Sequence, residues 1–182
     1  MIQLLNWFQT NYPHLKRALQ ECHHNFDDSE TNPYHVEGDC WSHTMMVCKI
    51  AQLKGYDRVV QVSALLHDIG KPQSRRVNPT NNHVMFFGHE EISAKMAEPL
   101  VADLVNQEML LAEEANEVLE LIALHSFLYR YNQDEIYKRF KDNLTLFRHL
   151  VELSYCDDMG RFSEQMGKSD IDTDLIIREI FF

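Results

Sequence analysis

Residues 59–72 read Val59-Val60-Gln61-Val62-Ser63-Ala64-Leu65-Leu66-His67-Asp68-Ile69-Gly70-Lys71-Pro72, an apolar helical run ending on an imidazole and a carboxylate side by side. Such a run carries its last residues into the interior, and two polar groups taken from water together are costly unless something pairs with them. A metal ion is the natural partner. Gly70 and Pro72 predict the helix stop, with glycine just past the last turn and proline beyond it. Asp57 stands where a cap belongs.

Working outward, each neighbouring segment offers one more ligand type at helical spacing. Asp39 predicts the cap of a helix running to about Lys54; its Trp41, Met45, Met46, Val47, Cys48, Ile50 and Ala51 are apolar nearly all round. That pattern predicts a central, buried helix, and it contains His43. Downstream, His89 shares a stripe with Ile92 and Met96, and His125 with Ala115, Val118 and Ile122. Asp157 shares one with Leu146, Leu150 and Leu153. Asp158 lies on an equally apolar stripe with Phe147 and Val151, so periodicity alone leaves the two aspartates open.

No internal repeat or low-complexity tract interrupts the chain. An amphipathic opening helix is predicted over 2–21 with a break near Pro13. Further helices are predicted at about 89–98, 101–106, 113–128, 134–141, 145–158 and 171–180. Between them, 72–87 departs from helical periodicity: Pro79-Thr80-Asn81-Asn82 is turn chemistry and His83–Phe87 a short strand. The expectation is an all-α bundle with a small β-hairpin insert that serves as lid or substrate wall. With 182 residues, a single domain is the simplest division: a motif-bearing core at about 32–161, an N-terminal helical segment over 1–31 and a C-terminal helix in 170–182. The tail Phe181-Phe182 is expected to pack on the domain or in an oligomer contact.

Composition narrows the function. A net charge of −11 argues against a broad nucleic-acid-binding surface, since that affinity depends on neutralising phosphates. No stretch approaches a membrane span, and the N-terminus lacks the features of a signal peptide, so a cytoplasmic protein with no membrane partner is expected. Cys22, Cys40, Cys48 and Cys156 have no paired CxxC spacing and read as reduced, mostly buried thiols.

Together these blocks resemble the HD superfamily of metal-dependent phosphohydrolases, whose motif is a distant His, an adjacent His-Asp and a distant Asp: here His43, His67, Asp68 and Asp157. The likeness is strongest to the HD domain of bacterial tRNA nucleotidyltransferases. It runs through Asn32-Pro33-Tyr34-His35-Val36-Glu37-Gly38-Asp39-Cys40-Trp41-Ser42-His43-Thr44, Ala64-Leu65-Leu66-His67-Asp68-Ile69-Gly70-Lys71-Pro72 and Gly88-His89-Glu90-Glu91. Asp157 is preferred over Asp158 because Asp157-Asp158-Met159-Gly160-Arg161 resembles the family's terminal Asp followed by Gly and Arg. The chain departs from that family in lacking a nucleotide-transfer domain, so a tRNA-specific role is not expected.

The added histidines His89 and His125 resemble the dinuclear members. That resemblance implies His43, His67 and Asp157 on one metal, His89 and His125 on the other, and Asp68 bridging; the four-residue alternative holds one metal. Imidazole-rich sets favour Mn, Fe, Co, Ni or Zn, with Mg²⁺ a further candidate. Two ions roughly 3.5–4 Å apart activate water and clamp both oxygens of a phosphoryl displacement. The implied activity is hydrolysis, by metal-bound hydroxide, of a phosphomonoester or cyclic phosphodiester of a nucleotide or RNA end. Catalytic weight falls on Asp68 and Lys71.

Lys71 stands where HD proteins place a cation facing the substrate phosphate, and Arg75, Arg76, His83, Tyr34 and Glu37 are candidate substrate contacts. His83 or His35 is a candidate proton donor to the leaving oxygen. Arg130, Lys138, Arg139 and Arg161 read as surface charges; His14, His23, His24 and His149 as surface or capping residues. Two rival readings exist. HD-type di-iron oxygenases acting on a small phosphonate or polyol share the six ligands and a lysine, and Tyr34 and Glu37 resemble residues that close over their iron. A non-enzymatic ligand-sensing HD module is the other.

Overall fold

The computed structural model describes residues 1–25, 38–130, 132–161 and 180. In chain order they form α1 (Ile2–Asn11), α2 (Pro13–Glu21), α3 (Cys40–Lys54), α4 (Arg58–Leu66), α5 (Lys71–Ser74), β1 (Arg76–Val77), β2 (Val84–Met85), α6 (His89–Asn106), α7 (Ala115–Leu124), α8 (Gln133–Phe140) and α9 (Leu144–Met159). The described residues thus make a helical bundle with one two-stranded antiparallel hairpin, in which Arg76 pairs with Met85 and Val77 with Val84. Tyr34, His35, Glu37, the C-terminal helix predicted at 171–180 apart from Ile180, and Phe181-Phe182 lie outside the described residues. Among the described residues no helix is long and apolar enough to cross a membrane.

α3 and α4 are central. α3 packs against α2, α4 and α9, and α4 also packs against α7 and α9. Leu65, Leu66, Leu121, Ile122, Phe147 and Leu150 close the interior between them. Asp39 caps α3 as expected, its Oδ1 accepting from Ser42 N at 2.9 Å. The break at Pro13 falls where proline opens α2. Trp7 Nε1 and Tyr12 OH both donate to Asp103 Oδ2, at 2.8 and 3.1 Å, tying the N-terminal helices to α6.

Four expectations are corrected. The helices predicted at 89–98 and 101–106 are one continuous helix, α6, through Pro99. Pro99 deprives the carbonyl of Lys95 of its helical donor, but both residues are exposed, so water replaces the bond. The apolar set Ala97, Leu100, Val101 and Leu104 meanwhile holds the helix on the core. Second, the predicted helix 113–128 is divided: a 3₁₀ turn at Ala112–Glu114, α7, and a further 3₁₀ turn at Phe127–Tyr129. Third, Asp57 does not cap α4 through its side chain; its carboxylate instead meets His149 Nε2 at 3.4 Å.

The fourth concerns Gly70, which is not a left-handed stop, since its φ is −85°. It is there because α6 passes against it. A Cβ at this position would come within 2.6 Å of Ser93 N and 2.7 Å of His89 O, both backbone atoms. Gly70 N also donates to Ser93 Oγ at 2.9 Å. The glycine therefore sets how closely the His67-Asp68 turn approaches the start of α6.

Candidate metal centre

Five elements deliver six side chains to one buried point. His43 comes from the first turn of α3, His67 and Asp68 from the turn after α4, His89 from the first residue of α6, His125 from just past α7, and Asp157 from α9. His43, His67, Asp68, His125 and Asp157 are buried, and His89 is partly so. Ligand atoms of His43, His67 and Asp157 lie within 4.8 Å of one another, and so do those of Asp68, His89 and His125. Asp68 joins the two trios: Oδ2 is 3.2 Å from His67 Nε2 and 3.7 Å from His43 Nε2, while Oδ1 is 3.4 Å from His89 Nε2.

Local backbone geometry sets the ring tautomers. His67 Nδ1 donates to Ala64 O at 3.0 Å, His89 Nδ1 to Phe86 O at 2.7 Å and His125 Nδ1 to Ile122 O at 2.7 Å, each a carbonyl three residues earlier. A carbonyl only accepts, so each Nδ1 carries the proton and each Nε2, on a neutral ring, presents a lone pair to the centre. In His67 and His125 the same bond occupies a carbonyl at the last turn of α4 and of α7, which helps end both helices where the ligands begin. This is the outer bond that ordinarily orients a metal-bound histidine.

The donor atoms are left wanting a cation. Among the described residues, His67 Nε2 and Asp68 Oδ1 are buried with no hydrogen-bond partner. His89 Nε2 and His125 Nε2 face each other at 3.1 Å. Burial lowers the pKa of His125 to about 4, with the neighbouring His67 and His89 acting in the same direction, so its ring is neutral near pH 7. Burial pushes Asp68 up, but the His67 imidazole and the Lys71 ammonium outweigh it and hold the carboxyl well below its usual range. Asp157 behaves likewise: Arg161 and His43 overcome the burial penalty. Ionised carboxylates and neutral imidazoles are the ligand forms that divalent transition metals take, and the set fits such an ion.

The remaining predicted residues divide. Lys71 is buried, with Nζ 2.7 Å from Asp68 Oδ2 and over the Phe86 ring. Burial lowers its pKa, but the Asp68 charge outweighs this and the net shift is upward. Arg75 is committed to backbone, donating to His23 O and Asn25 O. Arg76 is exposed and donates to Gln73 O and Arg75 O. His83 is exposed beside the hairpin turn. Asp157 rather than Asp158 faces the other ligands: its Oδ1 lies 2.9 Å from His43 Nε2, whereas Asp158 lines an apolar pocket of about 270 Å³ with Tyr129 and Ile136.

Three contributors escaped the sequence reading. Arg161 is no ordinary surface charge, because Nη2 donates to Asp157 Oδ2 at 2.6 Å from one helical turn away. The i,i+4 spacing was the available signal. His24 is buried, not a surface residue, with Nε2 3.2 Å from Lys71 Nζ. Nothing local in sequence announces that contact. Glu90 is buried beside His89, and its Oε1 accepts from Ser126 Oγ and pairs with Arg130. His149, read as surface or capping, is buried as well and pairs with Glu117 at 2.6 Å.

With that geometry in place, comparison with known proteins is direct. The model of the HD domain family matches residues 40–154. A multifunctional CCA protein of Methylobacillus flagellatus is 31% identical over 160 residues, covering 87% of this chain and 35% of the relative. That of Dechloromonas aromatica is 29% identical over 159 residues, covering 81% and 36%. That of Burkholderia pseudomallei is 35% identical over 86 residues, covering 47% and 20%. The chain therefore spans about a third of the length of the first two relatives.

Proposed function

The chain belongs to the HD domain family, and from that premise we propose that its buried centre hydrolyses a phosphomonoester or a cyclic phosphodiester of a nucleotide or RNA end. The observation that carries this reading is the meeting of two ligand trios at Asp68 with their Nε2 and carboxylate atoms turned inward. His43, His67 and Asp157 would hold one divalent ion, His89 and His125 a second, and Asp68 both. Two such ions, when bound, acidify a coordinated water and draw charge from phosphoryl oxygens.

The protein's own groups do the rest. Backbone carbonyls fix three imidazoles in one tautomer, so the donor set needs no reorganisation on loading. Arg161 keeps Asp157 ionised and aimed at His43. Lys71, beside Asp68, supplies the positive charge that meets substrate phosphate, a contact that strengthens as charge develops on the transferring oxygens. The net charge of −11 disfavours long duplexes, and likeness to multifunctional CCA proteins supports an RNA end or a small nucleotide as substrate.

The test is a panel of 2′,3′-cyclic nucleotides and nucleoside monophosphates offered to chelated protein reloaded with Zn²⁺, Ni²⁺, Mn²⁺ or Mg²⁺, with and without oxygen. Metal-restored, oxygen-independent phosphate release is expected. Strict dependence on iron and O₂ would transfer the assignment to the oxygenase reading.

A further inference from the structure

Cys22 and Cys40 are opposed across the isolated antiparallel bridge between His23 and Asp39. Cys40 N donates to Cys22 O at 2.9 Å and His24 N to Gly38 O at 2.9 Å, so the two cysteines occupy directly facing positions. Facing residues of this kind have Cα atoms about 5.5 Å apart, within the roughly 4.4–6.8 Å over which disulfides form. Both thiols are reduced and buried. Each thiol acts on the other, and the interaction lowers the pKa of Cys22 and raises that of Cys40.

The surroundings suit thiol chemistry. Cys40 Sγ is 3.7 Å from His24 Nε2, whose ring contacts Lys71 in turn. The Lys71 charge favours the thiolate at both cysteines. Neither Cys48 nor Cys156 has a cysteine opposed to it across a backbone bridge among the described residues. We propose that Cys22 and Cys40 form a reversible redox site, joined as a disulfide by exchange with a low-molecular-weight disulfide, beside the metal centre and independent of its reaction.

In the first step the Cys22 thiolate attacks one sulfur of the small disulfide, whose S–S bond breaks; the departing thiolate takes the proton that Cys22 lost. In the second, Cys40 gives up its proton and its sulfur attacks the Cys22 sulfur of the mixed disulfide, whose S–S bond breaks; the second small thiolate leaves and takes up that proton. The pair loses two electrons and one small disulfide becomes two thiols.

The experiment treats full-length native protein with glutathione disulfide, traps remaining thiols by alkylation and maps the peptides by mass spectrometry. A single Cys22–Cys40 cross-link, reversed by dithiothreitol, is expected, with Cys48 and Cys156 recovered as thiols. In Cys40→Ser the glutathione adduct should persist on Cys22, and circular dichroism checks that this variant is folded. Absence of a cross-link in wild-type protein, or cross-links distributed over Cys48 and Cys156, would overturn the proposal. Because the readout is covalent mass, it stands or falls apart from metal loading and phosphoesterase activity.

Discussion

His89 Nε2 lies 3.1 Å from His125 Nε2, while the Nδ1 of each ring is spent on the carbonyl three residues before it. Two neutral imidazoles so arranged point lone pairs at one another, an unfavourable contact that a shared cation turns favourable. The pair behaves as half of a binding site, and His89→Ala or His125→Ala should lower the metal stoichiometry from about two to about one. Elemental analysis checks this. One ion in wild-type protein, unchanged in both variants, would leave a centre of His43, His67, Asp68 and Asp157 alone.

Asp68→Asn is expected to be the most damaging single change, because Asp68 approaches both trios and balances the buried Lys71. Metal should be lost from both positions and turnover abolished. Retained metal and activity in this variant would refute the bridging role.

Arg161→Ala removes the guanidinium that holds Asp157 from one turn away. Loss of such an outer partner typically costs on the order of 10–100-fold in metal affinity. Competition with a chromophoric chelator measures this, and wild-type affinity would reduce Arg161 to a helix-end charge.

Asp103 tests how the N-terminal helices are held. Hydrogen bonds from Gln107, Trp7 and Tyr12 lower its pKa below the ordinary 3.8. A depressed folded value means the contribution is present above the unfolded pKa and is lost as pH falls through the folded one. Wild-type protein should therefore lose more stability than Asp103→Asn between pH 5 and pH 3, measured by urea unfolding. Equal losses would contradict the assignment.

Much of this was legible in sequence wherever one element supplied both signal and result. The run from Val59 to Leu66 announces a buried helix, and the stripe through His125 places that residue inward by local periodicity alone, whereas Asp157 was told from Asp158 only by its likeness to the family's terminal Asp. Pro99 misled because a proline in an exposed turn loses its carbonyl to water at little cost, which sequence does not reveal without knowing the exposed face. Gly70 read as a stop because its real reason, the backbone of Ser93, is 23 residues away. His24 was invisible for the same cause: its partners Gly38, Cys40 and Lys71 belong to other segments.

Lys71 divides the catalytic from the structural side of the centre. Lys71→Ala should retain metal and fold while kcat/KM falls roughly 10²-fold, the scale of losing one positioned charge contact. Steady-state kinetics with elemental analysis on the same preparation decides it, and wild-type turnover would leave Lys71 only as the counter-ion of Asp68.

The most direct test is an activity titration under nitrogen: chelated protein receives increasing equivalents of Zn²⁺ or Mn²⁺ while release of phosphate, or opening of a 2′,3′-cyclic nucleotide, is followed. Activity that rises steeply between the first and second equivalent and then levels off is the predicted result. Activity that saturates at one equivalent would contradict the two-ion centre, and none at any loading would contradict the hydrolase.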